Sequence, residues 1–447
     1  MPYNVKSNFV YIFNKSLNPS FFVIIIMLAL LIDMEISNEA HLIYEDISTE
    51  IGIGVFVLIS LIYLISQQYI LGFANKEPFQ IKVKSTSFGI IQRIINFMVF
   101  FIVVCFLTII LEIIISHYYD TFLLLLVLVF TNAVTILAMG TMALKFFKWY
   151  KHNTDHTILI FGTMYCVIAV TAFVTVLFMG AVLMDQPERI GPNIAVTLKE
   201  IASGTTLSLL NYLYYYLAVI SYVITWVITS LLLKDYVGRI GKWKYWLVLS
   251  LPLAFYLSQL LVTQFGLFIP QNTEDNITFQ KWFLLFYTPS SLVGGLLFSI
   301  PFYLIMKKTR TSKPLQNFLR ITVYGLILFF AAGSATVYHT PYPPYGLLTV
   351  AVIGPSSYLI ALGVYYSARI ISRNRTIETQ MKNSKYSQFF ASIGSAETEA
   401  AMTEIVEEIR KKLPSEDTPF SQDIESVDKE IIKYLKEYQA RKKTGTN

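Results

Sequence analysis

An all-α bundle of about ten membrane-spanning helices, followed by a small cytoplasmic helical tail, is the fold this sequence predicts. Three observations predict it. The 447 residues are 55% hydrophobic and only 14% charged, with a mean hydropathy of +0.55, whereas a soluble domain carries about a quarter charged residues. Ten apolar stretches punctuate the chain, each near the roughly 20 residues a helix needs to cross the hydrocarbon core. Every second gap between them is basic. The gaps at 74–90, 145–157, 234–244 and 307–320 hold three to five Lys or Arg each. Those at 33–50, 116–120, 185–206, 270–282 and 339–345 hold at most two, and the first has six acids instead. Basic connectors stay in the cytoplasm, so the pattern orients a multi-pass plasma-membrane protein with both termini inside.

The spans are expected at 20–36, 51–73, 94–115, 121–144, 158–184, 207–233, 245–268, 283–306, 321–338 and 346–368. The first is the weakest, because its strictly apolar part is only 21–32, but Lys6 and Lys15 before it favour insertion. No small-x-small cleavage pattern follows it, so it reads as a retained anchor and not a signal peptide. Trp149, Tyr150, Trp243, Trp246 and Trp282 sit at span ends, where amphipathic rings prefer the headgroup level. Between spans five and six, Ile194, Leu198 and Ile201 would form the apolar edge of a short surface helix. Asn276-Ile277-Thr278 fits the glycosylation sequon, a short and common match.

The chain divides at 369/370 into a transmembrane domain (1–369) and a soluble tail (370–447). That tail holds thirteen basic and thirteen acidic residues. Ser395 is placed to cap a helix with Glu397 and Glu399 in its first turn. Met402, Ile405, Val406, Ile409 and Leu413 then follow helical spacing until Pro414 stops it. A second helix from Thr418 would carry Ile424, Val427, Ile431, Leu435 and Tyr438 at near-heptad spacing. Two such stripes cannot bury themselves alone. They must pair with each other, with a second subunit, with a cytoplasmic partner or with the membrane-side loops.

Charge inside a bilayer costs roughly 3 kcal/mol or more and marks function by default. Glu112 is the one acid placed clearly within a span, about a turn from its outer end. It is either an interfacial carboxylate reaching water or a coupling acid. A recurrence supplies the next candidate: Thr288-Pro289-Ser290-Ser291 and Gly354-Pro355-Ser356-Ser357 lie at similar depth in two parallel spans. A mid-helix proline frees a carbonyl and kinks the helix. The serines beside it either repair that backbone or meet a ligand, and matched breaks point to a binding site. Small residues at 331–335, with Ser357 and Ala361, favour close packing of spans eight to ten.

Span six is rich in hydroxyls, with Asn211, Tyr212, Tyr214, Tyr215, Tyr216, Ser221, Tyr222 and Thr225. With Asn132, Gln259 and Gln264, these read first as helix-to-helix hydrogen bonds, and second as the place for a neutral solute. His41, His117 and His339 fall in outer gaps, but nothing in their spacing brings them together. His152 and His156 lack the Glu that a zinc-protease motif requires. Cys105 and Cys166 lie in apolar runs and offer no disulfide framework. No phosphate loop, dinucleotide fingerprint or nucleophile elbow is present. No stripe of Arg and aromatics suits nucleic acid. No catalytic residue, metal or cofactor is therefore assigned.

The segment Pro341-Tyr342-Pro343-Pro344-Tyr345-Gly346, followed by Tyr365-Tyr366-Ser367-Ala368-Arg369 and Ser392-Ile393-Gly394-Ser395-Ala396, resembles uncharacterised polytopic membrane proteins of archaea. The resemblance implies a plasma-membrane protein and carries no activity. Two function classes follow from the residues. One is a sensor or docking platform acting through the tail, with Met402, Ile405, Ile409, Ile424, Val427, Ile431 and Leu435 as the partner-binding surface. The other is a transporter or facilitator of a small neutral solute, with Pro289, Ser290, Ser291, Pro355, Ser356, Ser357 and Glu112 as candidate ligand contacts.

Overall fold

The computed structural model describes residues 18–43, 49–80, 86–192, 204–265, 292–309, 312–332, 342–383 and 388–412. In lipid every backbone polar group must be satisfied within the chain, and these residues satisfy it almost wholly by helix. Six long helices come first: α1 (Pro19–Ile43), α2 (Thr49–Gln80), α3 (Thr86–Ser116), α4 (Thr121–His152), α5 (His156–Met184) and α6 (Thr206–Leu233). A 3-10 turn (Lys234–Tyr236) and the short α7 (Val237–Ile240) lead into α8 (Lys242–Phe265). α9 is described over 292–308. α10 (Lys313–Ala331), α11 (Leu347–Arg373), α12 (Arg375–Asn383) and α13 (Gln388–Lys412) complete the order. Among the described residues, α1 to α6, α10 and α11 are long and apolar enough to cross a membrane, which makes this an integral, multi-pass membrane protein. The two remaining expected spans, 245–268 and 283–306, lie only partly inside the described residues, on α8 and α9.

Local chemistry sets several helix starts. Asp120 accepts the Phe122 N–H at 2.8 Å to begin α4, and Asp155 accepts the Thr157 N–H at 2.9 Å to begin α5. Thr205 does the same for Ser208 at the head of α6. Each side-chain oxygen satisfies a donor that has no partner within its helix. The loops before α4 and after α5 are joined by a two-residue antiparallel pair, Tyr119–Asp120 (β1) against Arg189–Ile190 (β2).

α11 is the axis of the molecule. Of its apolar window 94% is inside the protein, against 39% for α2, α3, α5 and α6, whose outer faces are left for lipid. It packs along α10 and α4 and also meets α1, α2 and α3. Small residues bring α10 and α11 together: a β-carbon on Gly325 would lie 2.8 Å from the Ile360 backbone nitrogen, and one on Gly363 would strike Thr322 Oγ1. The close packing expected of spans eight to ten is present, carried by Gly295 against Ile327 and by Gly325 and Gly363; of the small residues expected to provide it, 333–335 lie outside the described residues.

Several expectations need correction. Asp33, counted above in the outer gap 33–50, lies inside the first span, which at Pro19–Ser37 matches the expected 20–36 while its helix runs on to Ile43. There its carboxylate accepts three hydrogen bonds from the head of α11, as described below. α10 begins at Lys313, eight residues before the expected start, because Pro314 suits the first turn of a helix. α11 continues through the expected boundary at 369/370 to Arg373. A helix at Arg375–Asn383 was not expected; it buries Ile377 and Met381 and carries a Glu378–Lys382 ion pair at 3.0 Å. Ser395 caps nothing. The tail helix begins at Gln388, seven residues earlier, because Phe389 and Phe390 find aromatic partners on the bundle.

Candidate functional site

A cavity of about 130 Å³ lies among α4, α5, α6, α8, α10 and α11. Its volume is close to that of an engineered pocket of about 150 Å³ that holds benzene. Asn132 and Thr135 reach it from α4, Thr171 and Thr175 from α5, Ser221 and Tyr222 from α6. Aromatic rings fix its other side. Tyr222 stacks on Tyr256 at 4.1 Å and meets Phe330 edge-on at 6.1 Å. The Tyr222 hydroxyl sits so near α9 that a β-carbon on Gly294 would lie 2.6 Å away.

Four polar side chains of this wall share one habit. Asn132 donates to Leu128 O at 2.8 Å, Thr135 to Thr131 O at 3.1 Å, Thr171 to Val167 O at 2.8 Å and Thr175 to Thr171 O at 2.8 Å. Each donates to the carbonyl four residues back in its own helix, so the threonines retain oxygen lone pairs for a ligand, and Asn132 retains its amide oxygen and a second N–H. Among the described residues, none of those lining it is charged. Such a cavity suits a small, neutral, largely apolar molecule carrying a hydroxyl or amide donor.

α11 forms the remaining wall through Val350 and Ile353, at the point where its own ladder is interrupted. The Thr131 hydroxyl donates to Val350 O at 3.1 Å and accepts from Gly354 N–H at 2.9 Å. It therefore stands between two groups that an unbroken helix would join directly, a recognised cause of helix bending. One residue later Pro355 removes a further donor. Ser356 and Ser357 both donate to Ile353 O, at 2.9 and 2.7 Å, and Ser357 also reaches Thr135 Oγ1 at 3.1 Å. Their hydroxyls are engaged in holding the break together, and neither they nor Pro355 line the cavity.

Glu112 is also remote from it. Its carboxylate accepts the Asp120 N–H at 3.0 Å and so fastens the end of α3 to the turn that starts α4. Pro289, Ser290 and Ser291 lie outside the described residues, as do Ile194, Leu198 and Ile201, the sequon, His339 and the second tail stripe of Ile424, Val427, Ile431 and Leu435. Within α13, Met402 is half-buried, and the side chains of Ile405 and Ile409 lie outside the description.

The foot of α11 is the seat of the tail. Gly394 of α13 faces Ile371, and Thr398 donates to Ser372 O at 3.2 Å. Trp149 at the end of α4 donates its indole N–H to Glu397 at 2.8 Å, in a buried contact. Asn153 donates to Ser392 O at 3.2 Å, and Phe389 stacks on Phe161 at 4.4 Å. The tail thus docks beside the basic connector 145–157. These contacts come from residues 389–398, which precede the expected apolar stripe of this helix.

The head of α11 is held by Asp33. Its carboxylate is fully buried and accepts Gly346 N–H at 2.9 Å, Thr349 N–H at 3.2 Å and the Thr349 hydroxyl at 2.9 Å. Gly346 adopts φ 92°, a left-handed conformation natural only to glycine. Tyr345 donates to Gly52 O at 2.7 Å, and burial holds its phenol above the ordinary range, so it remains a donor. Sequence reasoning passed over Asp33, Thr131 and Glu397. The signal for Thr131 was present in the four-residue spacings Thr131–Thr135 and Thr171–Thr175. No signal within one sequence pairs Asp33 with residue 346 or Glu397 with Trp149.

Comparison with protein-family models, with curated proteins and with solved structures finds no match to this chain.

Proposed function

We propose that this protein is a membrane-embedded sensor for a small neutral molecule bearing a hydroxyl or amide donor. Occupancy of the cavity would be passed along α11 to the docked tail. One observation carries the reading: the same helix walls the cavity at Val350 and Ile353 and seats the tail at Ile371 and Ser372. The interruption at Thr131, Gly354 and Pro355 lies between those two places. The reading requires a second arrangement of the helix broken there, and a ligand biases the two only by binding one better than the other. A tail held by a few specific contacts is the element such a shift would release to, or withdraw from, a cytoplasmic partner or a second copy.

The test is a panel of short alcohols, diols and primary amides, read by thermal denaturation in detergent. A binder raises the midpoint of the wild-type protein and leaves that of Ala218→Phe, whose new ring fills the cavity, unchanged. Equal responses from both proteins would refute the assignment.

A second reading, a facilitator of the same class of solute, is favoured by the position of the break, since transporters place solutes at discontinuous helices. Flux of the panel compounds into proteoliposomes, lost in Ala218→Phe, would favour it over the sensor. Binding without flux would favour the sensor.

A further inference from the structure

A second polar region lies away from the cavity, where α1 and α2 pack against the head of α11. Phe22 stacks on Tyr69 at 4.1 Å, which fixes the antiparallel register of α1 on α2 and sets Asp33 near the level of Ser60. Ser60, Tyr63 and Gln67 follow one another along a single face of α2, three and four residues apart. They are 0%, 0% and 3% exposed. Among the described residues, Ser60 Oγ, the Tyr63 hydroxyl and both polar atoms of Gln67 have no hydrogen-bond partner, and neither does Ser37 Oγ, one turn beyond Asp33 on α1. The Asp33 carboxylate is within electrostatic reach of the Tyr63 and Tyr345 phenols. Among the described residues no Lys, Arg or His forms an ion pair with it.

This is an improbable arrangement for a dry interior. An unsatisfied buried polar group keeps its full desolvation penalty, and four side chains here share the defect. Buried groups of this kind are ordinarily met by internal water making about three hydrogen bonds. An ionised carboxylate without a cation is likewise tolerated inside a bilayer only beside a solvated cavity or a set of fixed donors. The head of α11 supplies the donors on one side of Asp33, and the stripe on α2 supplies candidates for the other.

We propose that α1, α2 and the head of α11 enclose a hydrated proton-exchange site, in which internal water links Asp33 to Ser37, Ser60, Tyr63 and Gln67. The ligand is water, and through it Asp33 exchanges protons with solvent from within the span. Tyr63 from α2 and Tyr345 from the segment before α11 are the titratable groups facing it. The stripe continues toward the other end of α2, where Asn75 accepts from Tyr358 at 2.7 Å and from Gln92 at 3.3 Å. That network is already paired, so the hydrated stretch ends at Gln67.

Radiolytic hydroxyl-radical footprinting of the full-length protein in detergent tests the water, because labelling deep in a protein requires water beside the side chain. Tyr63 should be oxidised several-fold faster than Tyr165, a tyrosine equally buried between α4 and α5. Gln67→Leu should reduce Tyr63 labelling to the Tyr165 level; if that variant does not fold, Ser60→Ala should reduce it in part. Tyr63 labelling no faster than that of Tyr165 in the wild type, or unchanged in the variant that folds, overturns the site. Infrared spectroscopy then tests the proton. A carboxyl band that appears on acidification, shifts in D2O and is missing from Asp33→Asn supports exchange at Asp33, and a band that does not shift contradicts it.

Discussion

Gly354 has no room for a β-carbon. One built there would lie 2.7 Å from the Thr131 carbonyl oxygen and 2.8 Å from its hydroxyl. Gly354→Ala should therefore push α4 from α11 and cost roughly 1–3 kcal/mol, the range for overpacked cores. Thr131→Ala should not rescue it, because the backbone carbonyl remains; full recovery of the thermal midpoint in the double variant would contradict this geometry. Asp33 makes the converse case of a residue whose removal leaves donors orphaned. Asp33→Ala should cost roughly 2–3 kcal/mol, since charged hydrogen bonds to buried N–H groups are lost, and Asp33→Asn should cost less because its amide oxygen still accepts. Equal midpoints for Asp33→Ala and wild type would show that the head of α11 is held otherwise. Neither residue was legible beforehand. A proline and two serines stand out in a sequence, whereas a glycine in an apolar run and an acid beyond the last of an apolar stretch acquire meaning only from what lies across the interface. Ser356 and Ser357 were legible as helix-break chemistry, and their hydroxyls do serve the backbone.

At the scale of elements, the docked tail offers the sharpest prediction. The Trp149–Glu397 hydrogen bond is buried, charge-assisted and one of few polar anchors of α13. Trp149→Phe keeps the ring but removes the donor, leaving a carboxylate at 9% exposure without this partner. Such a loss is worth roughly 1.5–3 kcal/mol, or about a tenfold to hundredfold rise in local opening. Amide hydrogen exchange across 388–412 should accelerate accordingly while α4 and α11 keep their protection. Unchanged exchange would mean that the aromatic contacts of Phe389 and Phe390 suffice. The existence of this helix could be read from its apolar spacing. Its start could not, because Phe389 and Phe390 precede the periodic stripe and their partners Phe161 and Phe302 are distant in sequence.

Taken whole, the molecule follows the solvent it was read for. The long apolar helices lie where hydropathy put them, and large apolar side chains such as Phe97, Phe100 and Leu144 face outward at 66%, 63% and 71% exposure, as lipid allows and water would not. If the basic connectors are retained inside, a cysteine placed at Lys151 in the 145–157 connector should resist an impermeant thiol reagent in sealed cells, and one at Glu188 should react; the reverse pattern would invert the orientation. What hydropathy could not deliver is which face of each span is polar for packing and which for a cavity, since Thr135 and Thr171 make the same backbone bond whether or not space lies beside them. The coupling of that cavity to the tail is the claim on which the proposed function stands. Hydrogen exchange of α13 in wild type and in Ala218→Phe, both monodisperse in the same detergent, tests it without a ligand. The account predicts a several-fold change in exchange across 388–412 when the cavity is filled, with α1 and α2 unaffected; identical exchange of the tail in the two proteins would contradict it.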